Sequence, residues 1–435
     1  FKISQMENIT ILNNSLKAIS NELGLLYHVY KLPRMNNDPK LVNYGIWPSN
    51  TMYLTSEQFG GRSAGCGFNW EDAILGTIGE TVERYAPAFY NLDDSKITAY
   101  KNISDKAIHP SEFALFHDEQ FRDERFQMKK FTEDIELTWF PTIDLTNGKE
   151  TWLPAQFIYL PFSKDKNFIT ANTSTGLASH TNYYKAILSG LYESIERDSF
   201  VITWMQELTP NKIIISTEIK SFISELFPSH YEWHFFDISY DLEVPTVLGF
   251  CFGESEYGKF IAVGSSTRAT YADALKKVIQ EIGQAVPYFR YLLGQKKDWV
   301  PSDDFNMIQG FEDHSVFYIK RPDLWHIFDK WITAKETKSI DFSEMPKRND
   351  IDEINYILNI LKEKKYNVLF KDITTPDIRQ LGYFSIKIFI PQLIQLAGAY
   401  PFYFSGGKRL FEVPKIMGYE SKDYHQLNKY PHPFP

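Results

Sequence analysis

The chain has 435 residues, 43% hydrophobic and 16% aromatic, enough to bury a large core and too apolar for a disordered polymer. A net charge of −9, with no basic run, argues against a nucleic-acid surface. Two cysteines, Cys66 and Cys251, are too few for a disulfide framework and point to a reducing, cytoplasmic setting.

Residues 1–50 read as an N-terminal segment packing on the body or on a partner. A helix is expected from Ile9 to Leu23, followed by a connection rich in Pro, Asn and Asp from Leu32 to Lys40. The chain starts at Phe1 without a Met, which leaves room for residues upstream. The main body, 51–435, opens with a small-residue loop and a helix over 60–90. Strands are expected at Leu137–Phe140, Phe157–Leu160, Lys212–Ser216, Pro245–Phe252 and Phe260–Val263. Residues 295–350 mix Asp, Lys, Pro, Trp and Phe without a period, which predicts an irregular excursion open to a docking partner. An amphipathic helix from Ile351 to Leu361 closes on lysines, and strands follow at Asn367–Ile373 and Phe384–Ile390. Lys387 and Pro391 interrupt the apolar stretch 384–404, so no membrane span is expected. Helices alternating with short strands imply a mixed α/β or α+β body.

One pattern is written three times. The copies are Ala73-Ile-Leu-Gly-Thr-Ile-Gly-Glu80-Thr-Val-Glu83-Arg84, Ala186-Ile-Leu-Ser-Gly-Leu-Tyr-Glu193-Ser-Ile-Glu196-Arg197 and Ala274-Leu-Lys-Lys-Val-Ile-Gln-Glu281-Ile-Gly-Gln284. Asn69, Asn182 and Thr270 stand four residues before the Ala of each copy, where they suit the start of a helix. Ahead of each lies a small-residue stretch: Gly65-Cys66-Gly67, Thr175-Gly-Leu-Ala-Ser179 and Gly264-Ser-Ser266. Residues three apart share a helix face, so each copy presents a pair, Glu80 with Glu83, Glu193 with Glu196, Glu281 with Gln284. One such pair is ordinarily a solvated face. Three with the same spacing, on otherwise apolar helices, suggest a shared site, and converging carboxylates call for a hard cation such as Mg²⁺ with a polyphosphate. The tail, Leu427-Asn-Lys-Tyr-Pro431-His-Pro433-Phe-Pro435, is stiff and extended because proline fixes its own backbone angle. It reads either as an exposed end or as a rigid arm that places a terminal group.

Together these features resemble the YcaO-domain family, in particular its ATP-dependent azoline-forming cyclodehydratases. Ser189, Glu193, Glu196 and Arg197 match the family's Ser-x-x-x-Glu-x-x-Glu-Arg helix; Glu80, Glu83 and Arg84 match with Gly76 in place of the Ser; Glu281 and Gln284 match a later helix. Thr175–Ala178, Asp372–Asp377 and the Pro431-x-Pro433-x-Pro435 ending extend the resemblance from residue 55 to the tail. Three further positions depart from it: Gly65-Cys66-Gly67 stands where Gly-Lys-Gly is usual, and Thr181 and Lys185 where many members carry Asn and Glu.

The resemblance implies an α+β fold of its own kind, three acid-bearing helices around a nucleotide site on mixed or antiparallel sheets. It implies ATP and Mg²⁺ as cofactors, with Glu80, Glu83, Glu193, Glu196 and Glu281 as metal ligands. Ser189, Arg197, Gln284 and Arg84 would position nucleotide or hold the helices, and Ser63, Arg268 and Arg62 lie in the loops that reach phosphates. Pro431, Pro433 and Pro435 would form a catalytic arm. The implied reaction is cyclodehydration of Cys, Ser or Thr in a ribosomal precursor peptide to thiazoline or oxazoline. The implied partners are that peptide, a ubiquitin-activating-like scaffold that binds its leader, and a flavin-dependent azoline dehydrogenase, and a homodimer is compatible with all of these. Thioamide formation and a non-catalytic scaffold are the alternatives; the intact tail argues against the first and the intact acids against the second.

Overall fold

The helix caps are built as the sequence predicts. In the computed structural model, which describes residues 2–20, 25–55, 57, 61–171 and 173–434, Asn69 Oδ1 accepts from the Asp72 amide at 2.9 Å while its Nδ2 donates to the Asp72 carboxylate at 2.7 Å. Asn182 Oδ1 accepts from the Lys185 amide at 3.1 Å, and Thr270 Oγ1 from the Asp273 amide at 3.1 Å. Each satisfies an amide that the first helical turn leaves open.

The elements run α1 (Lys2–Leu16), β1 (Leu26–Lys31), β2 (Val42–Pro48), β3 (Ser63–Gly67), α2 (Trp70–Tyr85), β4 (Lys96–Ala99), β5 (Glu136–Asp144), β6 (Lys149–Pro154), β7 (Leu177–His180) and α3 (Tyr183–Met205). Then come β8 (Asn211–Ile213), α4 (Thr217–Leu226), β9 (Glu232–Asp237), β10 (Thr246–Ser255), β11 (Gly258–Thr267), α5 (Tyr271–Gln295), α6 (Phe311–Lys320), α7 (Asp329–Ile332) and β12 (Glu336–Lys338). The last are α8 (Asp350–Glu363), β13 (Leu369–Asp372), α9 (Pro376–Gln380), β14 (Phe384–Phe389) and α10 (Lys408–Ile416). The α+β expectation holds.

The chain divides into two compact units. The first comprises residues 1–32, 42–194 and 349–395. It holds the antiparallel sheet β1-β2-β3 and a second sheet ordered β4-β5-β13-β14-β7, with β6 paired to β5. Its core includes Ile78, Val82, Trp139, Phe140, Phe162 and Phe389. The second comprises residues 33–41, 195–348 and 396–435. It holds the sheet β11-β10-β9-β8-β12, antiparallel except where β12 joins β8 in parallel, and α3 carries the chain from the first unit into the second.

The small-residue stretches differ from the loops expected of them: Gly65–Gly67, Leu177–Ser179 and Gly264–Ser266 are strand residues of β3, β7 and β11. The repeat is therefore strand, cap, helix. Small size is needed because the helix lies on its own strand; a Cβ at Gly65 would overlap Thr77 N and Oγ1, and one at Gly67 would stand 2.6 Å from Ala73 N.

Other expectations are corrected. The first helix ends at Leu16, and part of the run predicted to Leu23 falls on residues 21–24, outside the described ones. Phe157–Leu160, buried as far as Tyr159, is not a strand; a 3₁₀ turn, Ala155–Phe157, leads into it. The strand predicted at Lys212–Ser216 stops at Ile213, before the Ser216 cap of α4. Residues 295–350 are no irregular excursion but carry α6, α7 and β12, and bury Phe317, Phe328 and Trp331. Aromatic contacts with Trp204 and Phe250 order this stretch, and a local period does not register them.

Gly65 and Gly76 should therefore respond in opposite directions. Gly65→Ala should cost about 1–3 kcal/mol by forcing α2 off β3. Gly76→Ala, on an open face with nothing within 4 Å of the added methyl, should gain about 0.5–1 kcal/mol. Chemical denaturation midpoints of the two variants check this, and equal shifts would refute the packing argument.

Candidate active site

In the first unit, α2 buries Ile78 and Val82 completely and places Glu80 and Glu83 one turn apart. Glu83 keeps 20% of its side-chain surface open. Its carboxyl is nonetheless pushed up to about 8, chiefly by burial, with the Arg84 charge opposing and Glu193 and Glu80 adding repulsion. Arg84 pairs with Glu83 at 3.7 Å. Burial works against the Arg84 charge, but Glu83, Glu80 and Glu193 outweigh it and raise its pKa. Three of the predicted acids, on two helices, thus share one electrostatic neighbourhood.

A second cation beside these acids, Lys387, is a residue with no site role in the sequence-based expectations. Lys387, in the middle of β14, is 2% exposed. Burial lowers its ammonium to about 8, with Glu193 the largest opposing charge and Glu83 helping. Its Nζ donates to the Thr175 carbonyl at 2.7 Å. The next residue, Gly176, donates its amide to Glu193 Oε2 at 3.0 Å and accepts at its carbonyl from the Ile388 amide at 2.8 Å. Gly176 has φ of +81°, and a Cβ there would overlap the Ile388 carbonyl, so glycine is required on both counts. A lysine inside the apolar strand Phe-Ser-Ile-Lys-Ile-Phe was the signal that could have found it, because a fully buried lysine almost always has a charged partner. Of the other expected residues of this unit, Ser189 is exposed one turn before Glu193. Ser63 begins β3 with a buried hydroxyl that has no hydrogen-bond partner among the described residues. The Arg62 guanidinium lies 3.7 Å over Trp47.

The second unit holds the rest. Glu196 is buried and pairs with its neighbour Arg197 at 3.4 Å; Arg197 in turn lies 4.3 Å over the Phe434 ring. Asp198, the next residue of α3, is fully buried and binds Arg409 Nη2 at 2.8 Å, and Arg409 also binds Asp241 at 2.8 Å. This fixes the C-terminal half of α3, and nothing local in the sequence announced Arg409. Glu281 pairs with Lys277 at 3.4 Å, Gln284 follows one turn on, and Arg268 donates to its neighbour's carbonyl at 2.6 Å. Pro431 and Pro433 are buried with the residues between and after them, so the tail up to Phe434 is no exposed end. Pro435 lies outside the described residues.

Among the described residues no three His, Cys, Asp or Glu side chains are drawn together tightly enough to coordinate one ion as they stand. The donor set nevertheless suits a hard divalent cation. Glu80, Glu83 and Glu193 offer carboxylate oxygens only, and the repulsion that Glu193 and Glu80 add to the effect of burial on Glu83 is what such an ion relieves.

The pH dependence carries a sign. A carboxyl raised from 4.5 to about 8 is held protonated more tightly in the folded chain, so its contribution to stability falls as pH rises from about 4.5 to 8. Glu83→Gln should therefore stabilise the metal-free chain by about 1–3 kcal/mol at pH 8, with the gain fading towards pH 5. Thermal melts across that range check it; a gain independent of pH would contradict the burial of a titrating carboxyl.

The fold has counterparts among known proteins. Residues 64–394 match the family model described as YcaO cyclodehydratase, ATP- and Mg²⁺-binding. Among solved structures, a heterocyclase in complex with substrate and cofactor superposes with a TM-score of 0.77 at 19% identity, over 98% of this chain and 57% of that one. The YcaO protein of Methanopyrus kandleri, bound with AMPPCP and Mg²⁺, gives 0.61 at 14% identity over 92% and 93%. The E. coli microcin synthetase McbBCD complex gives 0.57 at 18% over 84% and 88%. The chain spans 57% and 50% of the lengths of two heterocyclases it matches, the second being TruD. No curated protein sequence matches. Among the described residues no helix is long and apolar enough to cross a membrane. With its acid-bearing helices and the family model spanning most of its length, the chain belongs to the YcaO family, whose ligands are ATP and Mg²⁺.

Proposed function

We propose that this chain is an ATP-dependent cyclodehydratase that converts Cys, Ser or Thr of a ribosomally made precursor peptide into thiazoline or oxazoline. The observation that carries the reading is Glu83 flanked by Glu80 and Glu193, with the buried Lys387 beside Glu193 and Glu83, inside a family that binds ATP and Mg²⁺. The side-chain thiol or hydroxyl adds to the preceding carbonyl carbon, leaving a hemiorthoamide oxygen. That oxygen takes the γ-phosphoryl group of ATP and ADP departs; the former amide nitrogen then gives its proton to a base and forms C=N as the C–O bond breaks, and phosphate leaves with the oxygen the peptide loses. Mg²⁺ held by Glu80, Glu83, Glu193, Glu196 and Glu281 would neutralise charge between the transferred phosphoryl group and the attacking oxygen.

The chain's own residues supply the rest. Lys387 balances Glu83 and Glu193 and pins the turn at Thr175. Arg84, Arg197, Arg268, Ser63, Ser189 and Gln284 are the proposed nucleotide contacts, and the buried, partnerless Ser63 hydroxyl supports its place among them. The arm through Pro431 and Pro433 to Pro435 is proposed as the carrier of the base; its burial as far as Phe434 supports a fixed course. Two matched heterocyclases are longer chains, and the microcin synthetase is a multi-subunit complex, also solved with pro-MccB17 bound. A separate leader-binding scaffold and a flavin dehydrogenase are the partners proposed here.

The test is phosphate release from Mg·ATP with and without a Cys-bearing precursor and its scaffold, with peptide mass followed in the same reaction. Peptide-dependent release with loss of ~18 Da per cycle establishes cyclodehydration; a gain in mass without ring formation would mark thioamidation instead. Glu196→Gln should cut turnover at least about 10-fold. A chain ending at His432 should keep nucleotide binding and lose about 100-fold or more in cyclisation. Full activity of either variant would remove that residue set from the mechanism.

A further inference from the structure

A proline-spaced arm has few ways to be held. Pro431 and Pro433 have no N–H, so a sheet ladder cannot form along it, and its carbonyls are the groups left to grip. In the second unit they are gripped in succession. Trp204 Nε1 donates to the Tyr430 carbonyl at 3.1 Å, Tyr318 Oη to the Pro431 carbonyl at 2.6 Å, and His314 Nδ1 meets the His432 carbonyl at 2.7 Å. His314 and Tyr318 are four residues apart on α6 and so project from one face.

The grip is also steric. The His314 and His432 rings stack at 3.7 Å and 7°, both almost wholly buried. His432 Nε2 reaches the Ala397 carbonyl at 3.0 Å, which ties the stack to the backbone there; His314, neutral because burial lowers its pKa to about 4, has one N–H for the His432 carbonyl and for the Gly398 carbonyl 2.9 Å from its Nε2. Beyond it, the Phe434 ring lies 4.8 Å from Phe200 and under the Arg197 guanidinium. The base of α6 is itself anchored, since Asp313 accepts from the Gln309 amide and pairs with Lys296 at 2.6 Å. Packing alone would have needed apolar partners for the prolines, whereas here polar groups from one helix face take consecutive carbonyls.

We propose that α6 is a clasp for the arm and that His314 and Tyr318 are positioning residues of the reaction, acting by fixing the course of the chain as it leaves Phe434. The proposal rests on the reading of the arm given above. A clasp of this kind changes the turnover step and leaves peptide and nucleotide binding alone.

The experiment pairs hydrogen–deuterium exchange of the C-terminal segment with steady-state cyclodehydration of a Cys-bearing precursor peptide by the full chain and its scaffold. Tyr318→Phe, which removes one hydroxyl and keeps the ring, and His314→Leu should each speed exchange of the His432 and Phe434 amides about 10-fold or more. The kcat should fall by a similar factor, with the peptide KM and Mg·ADP affinity within about twofold of the parent. His314→Asn, which restores a side-chain N–H near the Nδ1 position, should recover part of both. Unchanged exchange in Tyr318→Phe and in a folded His314→Leu overturns the clasp, and so does faster exchange with kcat intact. The chain ending at His432, assayed alongside, separates the two readings. If it too stays active, the catalytic role of the arm fails; if it is inactive while the released arm still works, only the clasp fails.

Discussion

A lysine ammonium buried among carboxylates is the contact on which the first unit's site depends. Lys387 leaves water at a cost that only Glu193, Glu83 and the Thr175 carbonyl offset. That balance joins three separate pieces of chain: the central strand β14, the turn before β7, and the facing acids of α2 and α3. Deleting the lysine from such a buried group leaves its carboxylates uncompensated, a loss typically worth about 3–5 kcal/mol. Glu80 and Glu193 add repulsion at Glu83, which is the physical reason for the Mg²⁺ site proposed above.

The same strategy recurs in the second unit with other residues. Arg409 is held by two aspartates, Asp198 and Asp241, and is 3% exposed, so the half of α3 that carries Glu196 and Arg197 has little freedom to shift. Arg197 then spends its charge in two directions, towards Glu196 and over the Phe434 ring. Acid helix and proline arm are thus linked through one guanidinium within that unit.

The proline arm shows how a segment without a donor can still be ordered. Its carbonyls are taken up by Trp204, Tyr318 and His314, and its aromatic side chains fill space between helices. Proline lowers the entropy lost on ordering, so few contacts are needed to hold a definite course.

Much of the repeat was legible in the sequence. Spacing determined that Glu80 and Glu83 lie one helical turn apart, and Asn69, Asn182 and Thr270 cap as their chemistry requires, because capping and helical period are local physics. Local physics also explains why small residues precede each helix, but not that they belong to strands; that follows from a ladder with partners far along the chain, such as Leu177 with Lys387. Residues 295–350 looked irregular because their order comes from Phe317, Phe328 and Trp331 entering a distant aromatic core. Lys387, Arg409 and His314 acquire meaning only through partners separated from them by many residues: Thr175 and Glu193, Asp198 and Asp241, His432. The sequence by itself determined the three helices of the repeat, their caps and the acids they carry. Only the tertiary structure decided which charges are buried together and which helix grips the arm, because burial and pairing are properties of segments that meet in space.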